Sequence, residues 1–518
     1  MMNNCGFNEK DVLFRIGIMS DPHICYAEYD GKALTDSSQR FTNTLAAFKK
    51  ISENRLDAVM MTGDYTSFGC REQAETFCSV MRSAADGIFE DSDIKPKFAI
   101  GYGNHDTCWG NNEPYYLGVE GWEKIYRKYF LLDDYEPDSS FGNGGGNYHI
   151  RLEKEGKAFH ILVLEIDWYH PNAFYTDDRL KWIDKTLERL VGEEPDSYIF
   201  VGAHSPIKES GVFGTDMMLD READWAKSTV GGIHEVLKKY PQVVYFSGHT
   251  HYSDLLESTI MCRDYTAVNV PSSGSADLWG DNSPFLDDKR TGSVGGMALY
   301  AEIDRFGNLH IKRLVLGRSS AKTENTVKTI GGIENPDRAT RDKIPYMSTL
   351  QMISCRYVDG DVTSFGNDWC LAAPKKDKSH LIPLSDIRGK IPAPRFPDGS
   401  VISVTTEPDD KGDVIISLRF PAAVSSALVH HYTIEIANAS GEKVNEYWTD
   451  GNWNGITTGI ANGTSHLDAD EYRYKLPPQR RFKGGIAIRI TPIDEYANRG
   501  EPLTALIDQA NDNESEPA

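Results

Sequence analysis

Over the first three-fifths of the chain, short apolar runs alternate with amphipathic stretches; near residue 396 the pattern changes to a two-residue period. Residues 12–20 read as a buried strand, and residues 57–62, 98–101, 197–202 and 243–247 as further short strands. After the first of these, Phe41, Leu45, Phe48 and Ile51 recur on one helical face. Thr176 is placed to cap a helix whose Leu180, Ile183, Leu187 and Leu190 form one stripe. Residues 148–152 and 159–165 flank the turn Lys154-Glu155-Gly156-Lys157 as a hairpin. Strands alternating with helices predict an α/β layer fold over residues 1–316.

Residues 317–395 mix Gly, Pro, Lys and Asp with short apolar pieces such as 350–353, and are expected to be a connector packing on the first domain. From 396 to 505, residues 401–404, 414–418, 432–436, 472–476 and 486–490 are strand candidates separated by turn residues, the pattern of a small β-sandwich. Residues 506–518 are an acidic, polar tail expected to be disordered.

The 518 residues exceed what one ordinary core accommodates, which supports this division. With 40% hydrophobic and 25% charged residues the balance is that of a soluble globular chain, and no run approaches the ~20 apolar residues that cross a bilayer. No basic segment followed by an apolar stretch opens the chain, so a cytoplasmic location and no membrane partner are expected. The net charge of −22 repels phosphate backbones and disfavours nucleic acid as a partner. Eight cysteines, at 5, 25, 70, 78, 108, 262, 355 and 370, form no CxxC pair and are expected to be mostly free, buried thiols.

Five segments concentrate metal-ligand side chains: Ser20-Asp21-Pro22-His23, Gly63-Asp64-Tyr65, Gly103-Asn104-His105-Asp106, Gly202-Ala203-His204 and Gly248-His249-Thr250-His251. Four follow directly on an expected strand, where α/β folds place their sites. Asp21 and His23 are two apart, as are His249 and His251; in extended backbone each pair would face one cavity. Seven candidate ligands (Asp21, His23, Asp64, Asn104, His204, His249 and His251) exceed what one tetrahedral ion needs and fit two ions sharing a carboxylate. The donor types suit transition metals such as Mn, Fe or Zn.

The ordered set Asp-x-His, Gly-Asp, Gly-Asn-His-Asp, His and Gly-His-x-His, over roughly residues 12–316, resembles the calcineurin-like metallophosphoesterase family. Asp178-Arg179-Leu180-Lys181-Trp182-Ile183 also resembles a helix of purple-acid-phosphatase-like members, although that subgroup lacks His23; a tyrosine near the position of Tyr65 ligates iron there. The resemblance implies a four-layer α/β/β/α sandwich. It implies that Asp21, His23 and His251 hold one ion, that Asn104, His204 and His249 hold the other, and that Asp64 bridges them. His105 would donate a proton to the leaving oxygen and Asp106 would orient His105. The implied activity is hydrolysis of a phosphomonoester or phosphodiester by a metal-bound hydroxide, on a small or medium organic phosphate. The competing class, a binding protein that has lost catalysis on this fold, would show missing ligands; all seven and His105 are present.

Other features carry less. His149, His160, His234, His310, His380, His430, His431 and His466 show no ligand grouping and are expected to be structural or exposed. Trp109, Trp168-Tyr169-His170 and the glycine-rich run 143–147 stand near the motifs as pocket or lid candidates. The spacing of the last strands and Tyr472-Arg473-Tyr474 resemble a fibronectin type III module, in which Trp448 and Trp453 are packing or sugar-stacking candidates.

Overall fold

The computed structural model describes residues 7–24, 27–67, 69–92, 94–107, 135–137, 147–165, 175–207, 232–251, 259–274, 297–316, 329–330, 333–334, 354–358, 360–364, 368–381, 391–408, 414–425, 429–438, 441–450, 471–475, 485–494, 496 and 498–507. It divides into two compact units. The first comprises Met1–Val327 and Thr349–Ile387, the second Lys328–Ser348 and Arg388–Ala518, so residues 317–395 contribute to both. The candidates Trp109, Trp168 to His170, 143–146, 350–353, Trp453 and the end of the tail lie outside the described residues.

In chain order the first unit runs β1 (Val12–Met19), α1 (Ala27–Ile51), β2 (Ala58–Met61), α2 (Arg71–Ile88), β3 (Lys97–Ile100), the one-turn α3 (Asn104–Thr107), β4 (Tyr135–Pro137), β5 (Tyr148–Lys154), β6 (Lys157–Val163), α4 (Asp177–Glu193), β7 (Ile199–Ala203), α5 (Gly232–Leu237), β8 (Val243–Ser247), β9 (Ile260–Cys262), β10 (Thr266–Asn269), β11 (Met297–Asp304) and β12 (Leu309–Leu316). A short pair, β13 (Thr329–Ile330) and β14 (Ile333–Glu334), belongs to the second unit; β15 (Cys355–Val358), β16 (Asp361–Ser364) and β17 (Trp369–Leu371) return to the first.

Two sheets result. One has the order β16-β15-β12-β11-β1-β2-β3, with β17 also on β12; the other has the order β4-β5-β6-β7-β8-β10-β9. Strands β1, β2 and β3 are parallel, as are β6, β7, β8 and β10. One core joins side chains of both sheets, among them Ile16, Ile18, Met60 and Leu299 with Phe159, Phe200, Val244 and Phe246. On the other face of the first sheet, Val59 and Met61 pack with Phe41, Leu45 and Phe48 of α1 and with Phe77 and Met81 of α2. Strands buried on both faces explain why these segments read as continuous apolar runs rather than alternating ones.

Helix α4 starts as its sequence dictates, with the Thr176 side chain accepting a hydrogen bond from Arg179 N, and it buries Leu180, Ile183, Leu187 and Leu190. The hairpin turn also falls where expected, Glu155 and Gly156 both having positive φ (51° and 75°). Helix α2 escaped the sequence reading, although Ala74, Phe77, Cys78, Met81 and Ala84 fall at helical spacing and are buried.

The described part of the second unit contains strands and no helix. Strands β18 (Ser403–Pro408), β19 (Val414–Pro421) and β22 (Glu471–Lys475) form one sheet; β20 (Val429–Asn438), β21 (Lys443–Asp450), β23 (Ile486–Asp494) and β24 (Leu503–Ile507) form another in the order β21-β20-β23-β24. Alternate residues Ile416, Leu418 and Phe420, and Ile434 and Ile436, meet in its core, as the two-residue period requires. Cys70, Cys78, Cys262 and Cys355 are free and buried, as expected of most of the cysteines, and Cys370 is disulfide-bonded. Among the described residues no helix is long and apolar enough to cross a membrane.

Candidate metal centre

Strand register brings the motifs together. Met19 pairs with Met61 and Met61 with Ile100, so the ends of β1, β2 and β3 lie in a row. Asp21, Asp64 and Asn104 follow that row by two to four residues. In the second sheet Ala203 pairs with Ser247, which places His204 and His249 just beyond the ends of β7 and β8. All five motifs thus sit at carboxyl ends of parallel strands, where loops turn away from the sheet and are free to meet.

The seven candidate ligands converge into two groups. Ligand atoms of Asp21, His23, Asp64 and His251 lie within 4.8 Å of one another, and so do those of Asp64, His204 and His249; Asp64 belongs to both. Asn104 joins the second group, its Oδ1 lying 3.0 Å from His204 Nε2 and 2.9 Å from His249 Nδ1. His105 stands beside the first, its ring edge-on to His23 with centroids 4.8 Å apart. Asp21, Asp64 and His204 form a buried floor, while the side chains of His23, His105 and His251 keep 17%, 25% and 21% of their surface exposed and form an open rim.

The local backbone differs from the expectation that each two-apart pair lies in extended chain. Asp21, His23, Asp64, His249 and His251 all have left-handed φ, 51°, 47°, 53°, 70° and 54°. Such a conformation is uncommon for residues with a Cβ and least so for Asp, Asn and His; held against preference, it costs of order 1–3 kcal/mol per residue and clusters at functional sites. Interloop bonds hold it here. Asp21 N donates to Gly63 O (3.0 Å), His23 N to Asp64 O (3.1 Å) and Ile24 N to Tyr65 O (2.7 Å). The Ser272 hydroxyl donates to Asp21 O (2.7 Å) and the Ser273 hydroxyl to Ser20 O (2.9 Å). Glycine is required where loops touch: a Cβ on Gly63 (φ 115°) would lie 2.7 Å from His204 Nδ1, and one on Gly103 would run into the Asp64 carboxylate.

The atoms facing one another fit a cation. His204 Nδ1 donates to Thr62 O at 3.0 Å, which leaves Nε2 of the neutral ring with a lone pair. That nitrogen faces Asp64 Oδ2 at 3.2 Å, Asn104 Oδ1 at 3.0 Å and His249 Nδ1 at 3.2 Å, a convergence of lone pairs that a shared cation, either a proton on His204 or a metal ion, holds together. His23 Nε2 and His251 Nε2 face each other at 3.0 Å, and Asp21 Oδ1 is buried without a hydrogen bond although His251 Nε2 lies 3.1 Å away.

The ionisation of the site follows the same logic. Burial opposes the charged form of Asp21, yet His251 and His204 hold its carboxyl down at about 2. Burial likewise opposes Asp64, and the nearby histidines, His204 first, hold it well below the usual carboxylate range. Burial pushes His23 and His249 down to about 3, adding to the repulsion from neighbouring rings. His204 rises to about 9 despite burial, because Asp64 and Asp21 are close. Ionised carboxylates and neutral imidazoles are the forms that bind metal, so a metal ion entering here displaces the proton that His204 otherwise holds.

One expected role changes in detail. The hydrogen bonds of Asp106 go to backbone amides and to Thr66. Its buried carboxylate accepts from Tyr65 N (3.2 Å), Thr66 N and the Thr66 hydroxyl (both 2.9 Å) and Gly103 N (2.9 Å), tying the Asp64 loop to the Asn104 loop; burial and the neighbouring Asp64 push it up to about 7. The His105 ring is oriented instead by Ser67, whose carbonyl accepts from Nδ1 at 2.8 Å. Tyr65 faces the core: its ring stacks on Phe77 (centroids 4.5 Å apart), and its hydroxyl donates to the backbone carbonyls of Met61 (3.0 Å) and Gly101. It is therefore not positioned as an iron ligand.

The fold and the gathered ligand atoms define a metal-dependent phosphoric ester hydrolase. The part of the chain that carries them, residues 14–253, matches the calcineurin-like phosphoesterase family. Among solved structures, the chain is similar to the NAD nucleotidase of Haemophilus influenzae, at 11% identity over 89% of this chain and 88% of that one, with a TM-score of 0.36. It is also similar to a 5'-nucleotidase precursor from Thermus thermophilus, at 14% identity over 57% of this chain and 52% of that one, with a TM-score of 0.32. Both likenesses are too distant to bear on substrate. No curated protein matches the chain.

Proposed function

We propose that this protein hydrolyses a phosphomonoester or phosphodiester of a small or medium organic phosphate at a centre of two metal ions. The observation that carries the proposal is the sharing of Asp64 between two ligand groups. Asp21, His23 and His251 would hold one ion and Asn104, His204 and His249 the other, with Asp64 between them. Ions of Mn, Fe or Zn bound there supply charge neutralisation at the phosphate oxygens and a nucleophile at neutral pH. The substrate approaches over the exposed rim of His23, His105 and His251, since the opposite side is closed by buried Asp21, Asp64 and His204. With Nδ1 of His105 committed to Ser67 O, Nε2 is the atom left to give a proton to the departing oxygen, a task suited to imidazole. Asp106 fixes the spacing of the Asp64 and Asn104 loops rather than the tilt of His105. The acidic surface supports a small substrate over a nucleic acid.

The same reading takes the catalytic unit as an α/β/β/α sandwich, supported by the buried stripe of α4, and the strands after residue 396 as a fibronectin III-like β-sandwich. The test is hydrolysis of para-nitrophenyl phosphate and its bis ester, together with metal content. Two ions per chain and turnover of at least one ester, largely lost in His105→Ala, are expected; a folded protein without metal and without turnover on either ester contradicts the proposal.

A further inference from the structure

Glu165, at the carboxyl end of β6, is buried and has no place in the ligand set, yet each of its polar groups is fixed to a different element. Its N–H donates to Asn147 Oδ1 (2.7 Å) at the start of β5, and its C=O accepts from Arg179 Nη1 (2.7 Å) of α4, the arginine inside the segment Asp178 to Ile183. Its carboxylate accepts from Tyr102 N at 3.2 and 3.1 Å, a shared bond to the backbone two residues before Asn104. Tyr102 and Gly103 form the whole exit from Gly101 to Asn104, and Gly101 packs against the same carboxylate, a Cβ there lying 3.5 Å from Glu165 Oε1. The carboxylate therefore ties the second sheet to the loop of the first that delivers Asn104. The loop delivering Asp21 and His23 lies one step further away: it is held by Gly63, Asp64, Tyr65, Ser272 and Ser273, and the Asp64 loop is in turn tied to the Asn104 loop by Asp106 and by His105 N, which donates to Asp64 Oδ1 (2.9 Å).

We propose that Glu165 is a positioning residue for one half of the centre: by anchoring Tyr102 N across the two sheets it sets Asn104 against His204 and His249, while it reaches the Asp21–His23–His251 half only through the Asp64 loop. The assignment rests on the two-ion reading above. Residues that orient ligands from outside the coordination sphere commonly change metal affinity by about 10–100-fold. The effect here is selective, because only one ligand loop hangs directly on this bond.

The test is calorimetric titration of Mn(II) into the metal-stripped full-length protein, with circular dichroism to confirm folding. Wild-type protein is expected to bind two ions. Glu165→Ala should weaken one of the two steps by about 10–100-fold and affect the other less. Glu165→Gln, which keeps a carbonyl acceptor of the same reach, should restore most of the lost affinity. If Glu165→Ala does not fold, Glu165→Asp carries the test, with a smaller selective loss expected from its shorter reach. Unchanged affinity at both steps, or equal weakening of both, in the folded variant overturns the proposal. Fewer than two ions in the wild type overturns the two-ion reading and this assignment with it.

Discussion

Two histidine pairs in the first unit place ring nitrogens 3.0 Å apart, and they differ in backbone and in surroundings. His23 and His251 meet at strand-end loops, in left-handed backbone, with Asp21 Oδ1 3.1 Å from the His251 ring and Asp64 Oδ2 3.8 Å from the His23 ring. His149 and His160 meet on the paired strands β5 and β6, within the electrostatic reach of Arg151, Arg189 and Glu193. Burial, with those arginines and the partner ring, pushes both down to about 4, so the pair is neutral and shares one hydrogen bond, while His160 Nε2 stays buried without a partner among the described residues. Ring proximity alone therefore does not mark a metal site. Buried carboxylates beside the rings, backbone held in an unfavourable conformation, and nitrogens aimed at other acceptors do.

The sharpest way to break this contrast is to remove the shared carboxylate. Asp64→Ala should release both ions and lower kcat/KM by at least roughly 10³-fold, whereas His160→Leu should leave metal content and kcat/KM unchanged. Metal analysis and steady-state kinetics on the two variants decide it, and a His160→Leu protein that loses an ion would erase the distinction. Next in size, His105→Gln should lower kcat by roughly 10²–10⁴-fold while two ions remain bound.

The core pair should instead appear in stability. Both rings titrate near 6.5 when unfolded and near 4 when folded, so between those values the unfolded chain binds more protons and stability falls as the pH drops. Urea unfolding of the metal-stripped protein should show this fall between about pH 6.5 and 4, with a shallower slope in His149→Phe/His160→Leu. An identical slope in the double variant would mean that the pair is not held neutral. The smallest effect is expected at Tyr65: Tyr65→Phe should cost about 1 kcal/mol for its lost hydrogen bond and leave metal content unaltered. Iron-loaded wild type should lack a tyrosinate charge-transfer band; such a band, abolished by Tyr65→Phe, would contradict the core-facing placement.

Much of this was legible in sequence, for identifiable reasons. Residues 12–20 and 243–247 announce buried parallel strands because both faces are covered, and Thr176 announces a helix start because its side chain has only the first turn to cap. The candidate ligands were legible because few other roles call for Asp-x-His and His-x-His after strands. Their conformation was not: spacing by two suggested extended chain, but what aims Asp21, His23, His249 and His251 inward is left-handed backbone held by bonds from distant loops, which no local pattern records. Asp106 was legible as important but not as a brace, since its partners Tyr65, Thr66 and Gly103 come from two different loops. Glu165 gave no signal, a single carboxylate after an apolar run whose partners Asn147, Tyr102 and Arg179 converge only in three dimensions. Helix α2 differs: its apolar spacing was available, and periodicity alone would have found it.

The most direct measurement is anomalous X-ray scattering from crystals of the full-length protein grown with Mn(II). Two peaks about 3.5–4 Å apart, on either side of the Asp64 carboxylate, with Asp21, His23 and His251 around one and Asn104, His204 and His249 around the other, are predicted. A single peak, or none within reach of Asp64, would contradict the account.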